Sequence, residues 1–124
     1  CERAVYGDGR IWAHDSIGVT TPASTWYLAE GATAGTFETF VLVQNPNAAP
    51  VTVDVNFMTS SGLVPGPQAF PIPANSRTTF KANDFVTDFN VSTMVNSTGG
   101  PVICERAVYG DGRIWAHDSI GYSP

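Results

Sequence analysis

The eighteen letters CERAVYGDGRIWAHDSIG occupy residues 1–18 and return unchanged as residues 104–121. The copies start 103 residues apart. The common solenoid repeats have units of up to about 50 residues, so this interval fits one whole domain per period. The chain then divides into the terminal hairpin of a preceding repeat, or a donor segment, at 1–18, one complete repeat at 19–121, and the start of the next linker at 122–124. Copying a hairpin letter for letter adds length to a stalk or fibre and adds little to an enzyme. An isolated hairpin is marginal in water. The first copy also carries Val5, Tyr6, Ile11, Trp12 and Ile17, which favour burial. It must dock on the rest of its chain or complement another chain's sheet.

Between the copies the chain is written in strand and turn chemistry. The 12 glycines and 9 prolines favour turns over long helices. Residues 51–59 alternate strictly: Val51, Val53, Val55 and Phe57 share one face, and Thr52, Asp54, Asn56 and Met58 the other. Further strands are expected at 25–29, 37–47, twice within 69–81, and at 91–97. A final hairpin of 101–109 and 113–120 closes across Gly110-Asp111-Gly112. Residues 60–68 read as a loop. Residues 82–90 hold either irregular chain or one helical turn capped by Asn83. Seven or eight short strands in about 100 residues predict an all-β fold. The form expected is an immunoglobulin-like two-sheet β-sandwich ending in a β-hairpin, with a closed barrel as the alternative.

Charge and composition narrow the partners. The net charge is −5, and the few basic residues stand singly, so no basic patch for nucleic acid is expected. No apolar run approaches the length of a membrane span. The string HDS at 14–16 and 117–119 holds the letters of a hydrolase triad. On a strand, however, His117 and Ser119 point one way and Asp118 the other. Neither four convergent zinc ligands nor the spacing of a calcium loop is present. Glu30 and Glu38 are not placed around a cleft as a glycosidase requires. No catalytic residue, metal or cofactor is therefore expected. Asn90 and Asn96 begin N-x-[ST] strings for which chance is a sufficient account. Lys81, the sole lysine, is the one donor for an internal isopeptide link, and no pattern supports such a link.

Five residues remain candidates for assembly or cross-linking: Cys1, Cys104, Trp12, Trp115 and Trp26. The cysteines amount to one per unit, either a buried thiol or a link to a neighbour. The tryptophans suit packing in the core or between units, or stacking on a surface glycan. If Tyr109 opposes Arg113 across a three-residue loop, Glu105 faces His117. That cross-strand structural pair would contribute roughly 0.2–1 kcal/mol.

TWYLAEGATAGTFETFVLVQNPN (25–47), PANSRTTF (73–80) and VICERAVYGDGRIWAHDSIG (102–121) resemble an uncharacterised tandem immunoglobulin-like repeat domain of long bacterial surface or secreted proteins. The resemblance covers 25–121. It implies signature roles for Trp26, Glu30, Glu38, Asn45, Arg106 and His117, and no catalytic assignment. Cys104 departs from the small residue of the family pattern, which makes a covalent link between units more plausible. The resulting expectation is an extracellular or cell-surface structural module that partners copies of itself or adjacent repeats. The alternative is an adhesive or carbohydrate-binding module.

Overall fold

A computed structural model describes all 124 residues. Eleven strands follow in order: β1 (Glu2–Gly7), β2 (Trp12–Ile17), β3 (Thr25–Leu28), β4 (Glu38–Asn45), β5 (Val51–Thr59), β6 (Gly62–Pro65), β7 (Phe70–Ile72), β8 (Ser76–Lys81), β9 (Ser92–Thr98), β10 (Ile103–Gly110) and β11 (Trp115–Ile120). Strands β11-β10-β4-β8 form one antiparallel sheet and β3-β9-β5-β6 the other, with β7 also paired to β5. The two sheets face each other across a core of 16 buried residues. The protein is an all-β two-sheet sandwich that ends in a hairpin.

The alternation in β5 does what its period demands. Val51, Val53, Val55 and Phe57 are buried, while Thr52, Asp54, Asn56 and Met58 are half-buried on the outer face. In β4 the inward set is Thr39, Val41, Val43 and Asn45. Buried Asn45 donates to the carbonyls of Ala49, Ile72 and Pro73 and accepts from the Asn47 backbone N–H, so two loops share one anchor. The sandwich gains a strand over the sequence reading at 62–65, which pairs with the end of β5. Residues Ala82–Asp84 make one short 3-10 turn. Asn83 does not cap it. Its amide donates to Thr33 O and Phe37 O and accepts from the Thr39 N–H, tying the turn to the start of β4. The connection 19–24 is held as well: Ala23 pairs with Val102. Beyond β11, Tyr122 exchanges two backbone bonds with Tyr27, both 2.8 Å.

The closing hairpin differs from the sequence reading in register. Gly110 opposes Trp115, so Ala107 meets Asp118, Val108 meets His117, and Glu105 meets Ile120. The loop therefore has four residues, 111–114. Asp111, Gly112 and Arg113 all take positive φ (50°, 66° and 68°). The shift is three residues, an odd number, so it moves Glu105 and His117 to opposite faces. The expected Glu105–His117 pair does not form. Close packing at the turn enforces the observed register. The Trp115 indole lies across Gly110, where a Cβ would stand 2.1 Å from the ring.

Candidate assembly site between the two hairpins

Residues 1–18 fold as their own two-stranded sheet, with the register of the second copy: Glu2 opposite Ile17, Gly7 opposite Trp12. No backbone ladder joins this hairpin to the sandwich. Its inner face, carrying Arg3, Val5, Trp12 and His14, lies on the outer face of β10 and β11, with β2 against β11. In the second copy the equivalent inner face, with Arg106, Val108, Trp115 and His117, turns toward the sandwich.

Charge and aromatic contact hold the joint. Arg3 forms ion pairs with both Glu105 and Asp118. His14 Nδ1 lies 2.9 Å from Asp118 Oδ2. The docked hairpin leaves the Asp118 side chain 0% exposed, and its Oδ1 has no hydrogen-bond partner. Trp12 stacks on His14 with centroids 5.7 Å apart and meets Tyr109 edge-on at 5.5 Å. Such offset and edge contacts suit the ring quadrupoles. Burial, with the neighbouring Asp118 carboxylate, pushes Glu105 up to about 7 against the pull of Arg3. Burial also raises Tyr109. A cavity of about 250 Å³ remains between the bodies, with Cys1, Gly18, Val19, Ile103 and Ile120 among its walls.

The inner face of the second copy meets a related receptor. Arg106 donates to Glu30 at 2.7 Å and to Ser119 at 3.0 Å. His117 Nε2 lies 3.9 Å from Glu30. Trp115 stacks on His117 at 6.0 Å and meets the edge of Phe37 at 5.5 Å. One arginine–histidine–tryptophan face thus finds a carboxylate and an aromatic ring in both settings. Nearby, Arg113 and Lys81 both pair with Glu38 and hold it down to about 2, the Arg113 contact contributing most.

Of the five assembly candidates, Trp12 makes ring contacts across the joint and Cys1 borders its cavity. Trp26 is a core residue, 1% exposed, whose Nε1 donates to Ala23 O and Val102 O. It is not an assembly residue of the folded unit. Cys104 is free, 0% exposed and packed in the core, and burial pushes its thiol up. In this arrangement it cannot reach another chain. Cys1 is free and exposed. Trp115 packs within its own unit. Glu105 belongs to the joint and His117 to the Glu30 cluster. The HDS letters separate as the strand period requires: Asp118 serves the joint, and Ser119 and His117 face Arg106 and Glu30. Arg3, His14, Tyr109 and Asp118 were missed as a group. With the four-residue turn, the period-2 rule alone places Glu105, Tyr109 and Asp118 on one face.

These features define a β-sandwich carrying a surplus copy of its own last hairpin. No protein-family model matches the chain, and no curated protein matches it. Solved structures do share the fold. A Thermotoga maritima protein, 1070, is similar over 85% of this chain and 97% of its own, at 15% identity and a TM-score of 0.72. The Anabaena sensory rhodopsin transducer is similar over 72% of this chain and 99% of its own, at 20% identity and a TM-score of 0.58. At such identities the likeness is one of fold. No helix is long and apolar enough to cross a membrane.

Proposed function

We propose that the chain is a structural repeat module of an extracellular stalk, fibre or filament, assembling through β-contacts between units. One observation carries this reading. The inner face of one hairpin seats on the outer face of a hairpin of identical sequence. The contact is therefore heterologous, and repeating it has no built-in end. The outer face of residues 1–18 repeats the accepting face letter for letter and stays open, with Tyr6 and Ile17 both 62% exposed. The extracellular placement rests on the resemblance of the 25–121 blocks to repeats of bacterial surface proteins.

Sedimentation and electron microscopy of the purified chain across concentration test the reading. Elongated assemblies are expected, with residues 1–18 of each chain moving from their own chain's dock to a neighbour's, and Arg3→Ala with His14→Ala should dissolve them. A monomer at every concentration would sink the proposal. Protease treatment of intact producing cells, which should release the protein, tests the location.

A second reading, a glycan-binding module, has a specific feature in its favour. Phe89, Phe37, Trp115 and His117 form a chain of ring contacts. Phe89 also borders an open cleft of about 390 Å³ that is walled by Glu30, Thr59, Asn90 and Ser92 among others. Aromatic faces beside polar groups suit sugar rings. Glycan-array binding that is lost in Phe89→Ala, from a chain that stays monomeric, would favour it.

A further inference from the structure

The place in the sandwich filled by residues 104–121 is chemically blind to which copy fills it. We infer that residues 1–18 can occupy this place within the same chain, turning 104–121 into the surplus hairpin. The inference stands without the assembly reading, because exchange within one chain needs no second molecule.

All eighteen side chains are the same in the two copies. Every contact the slot makes with the second copy is therefore available to the first. Cys1 would stand where Cys104 now faces Val43, Val5 where Val108 opposes Thr39, and Arg3 where Arg106 pairs with Glu30. Both copies already hold the same register, and both stack tryptophan on histidine. The incoming hairpin arrives preformed.

Only the connections differ, and both can be made. On exchange, Gly18-Val19 replaces Gly121-Tyr122. Val19 can make the two backbone bonds that Tyr122 now makes with Tyr27. Thr20 then opposes Trp26 and Thr21 opposes Thr25, with Pro22, Ala23 and Ser24 as a three-residue turn. The exchange breaks the two Ala23–Val102 backbone bonds and the Trp26 Nε1 bond to Ala23, while Trp26 keeps Val102. A bonded Thr21–Thr25 pair offsets the backbone bonds, so the net loss is the Trp26 Nε1 bond to Ala23, which favours the observed arrangement. At the other junction the chain must leave the slot after Ile103. Cys1 and Ile103 already line the same cavity, so residue 104 can enter the surplus hairpin where residue 1 now begins. The displaced copy finds the dock that residues 1–18 now use reproduced, with Glu2, Tyr6 and Asp15 standing for Glu105, Tyr109 and Asp118.

The cysteines report which copy is inside: Cys104 is buried and Cys1 exposed now, and exchange reverses them. The test uses the full chain in three variants, Val108→Asp, Val5→Asp and both together. A thiol reagent under native conditions, with labelled positions read by peptide mass, reports the occupant. Circular dichroism reports folding. Val5→Asp should stay folded with Cys104 protected. Val108→Asp should stay folded, with Cys1 labelling slowed and Cys104 labelling accelerated, each at least about tenfold. The double variant should unfold and label at both positions. A Val108→Asp chain that unfolds like the double variant, or that folds without burying Cys1, overturns the inference. Below the concentration at which the unaltered chain assembles, the mass of the Val108→Asp chain should be that of a monomer, because the connection holds its own hairpin near the slot at high effective concentration. A dimer would overturn exchange within one chain.

Discussion

One eighteen-residue sequence stands in this molecule twice, in two environments. Both copies have the same register, the same positive-φ turn and the same tryptophan–histidine stack. Those features are local, set by Gly-Asp-Gly-Arg and by the glycine that seats the indole. Burial is not local. Cys104 and Val108 are core residues, whereas Cys1 is exposed and Val5 only half-buried. Arg106 is buried beside Glu30; the side chain of Arg3 is 45% exposed. A hairpin's shape is thus written in its letters, and its stability comes from what it lies against. The copies are an internal control in which sequence is constant and context varies.

The largest expected effects come from the turn glycines. In Gly110→Ala the new methyl collides with the Trp115 ring, and overpacking of this kind costs roughly 1–3 kcal/mol. Gly7→Ala creates the same collision with Trp12, yet that hairpin carries no core strand. It should leave the urea midpoint of the sandwich nearly unmoved. If the copies can substitute for one another, Gly7→Ala with Gly110→Ala should cost more than the two singles summed, because no undamaged copy remains. Strict additivity would mean that the copies never trade places.

The same contrast marks what could be read before the structure. The sandwich was legible because Val51, Val53, Val55 and Phe57 alternate without interruption and because turn residues punctuate the chain. The hairpin was legible too, but its register was not. Asp111 and Arg113 take positive φ without being glycine, so a three-residue Gly-Asp-Gly turn was the natural reading. The error of three residues exchanged the faces and paired Glu105 with the wrong partner. Arg106 with Glu30, and Arg3 with Asp118, lie 76 and 115 residues apart. No local pattern links such pairs; only the packing of the sheets brings them together.

The joint itself is sharpened by a matched pair of carboxylates. Asp118 is buried under the docked hairpin, while its copy Asp15 is exposed and bonds nothing. Asp118→Asn removes the charge that faces Arg3 and His14. It should raise the undocked population of residues 1–18 by about tenfold, the equivalent of about 1.4 kcal/mol. A fluorophore on Cys1 would report this as lost anisotropy. Asp15→Asn should leave that signal unchanged. Equal responses would show that the hairpin is held by its apolar face alone.

Acidity should divide the two regions most finely. Glu105 is raised from 4.5 to about 7 in the docked state, first by burial and then by Asp118. Docking therefore takes up a proton, and its contribution is fully present below about pH 4.5 and lost as pH rises through 7. The charged and titratable groups around Glu105 are Arg3 and Asp118 at contact, His14 behind Asp118, Tyr109 on the same strand face, and Glu2 and Arg77 across shared clefts. Glu38 in the sandwich behaves in the opposite sense. Arg113, and after it Lys81, lower it to about 2, so its contribution is present above 4.5 and lost as pH falls toward 2. Between pH 5 and 7.5 the sandwich should hold its urea midpoint while the Cys1 fluorophore gains mobility several-fold. Glu105→Gln should flatten that rise, because an amide does not titrate. A joint that tightens with rising pH would mean that Arg3 outweighs burial at this carboxylate.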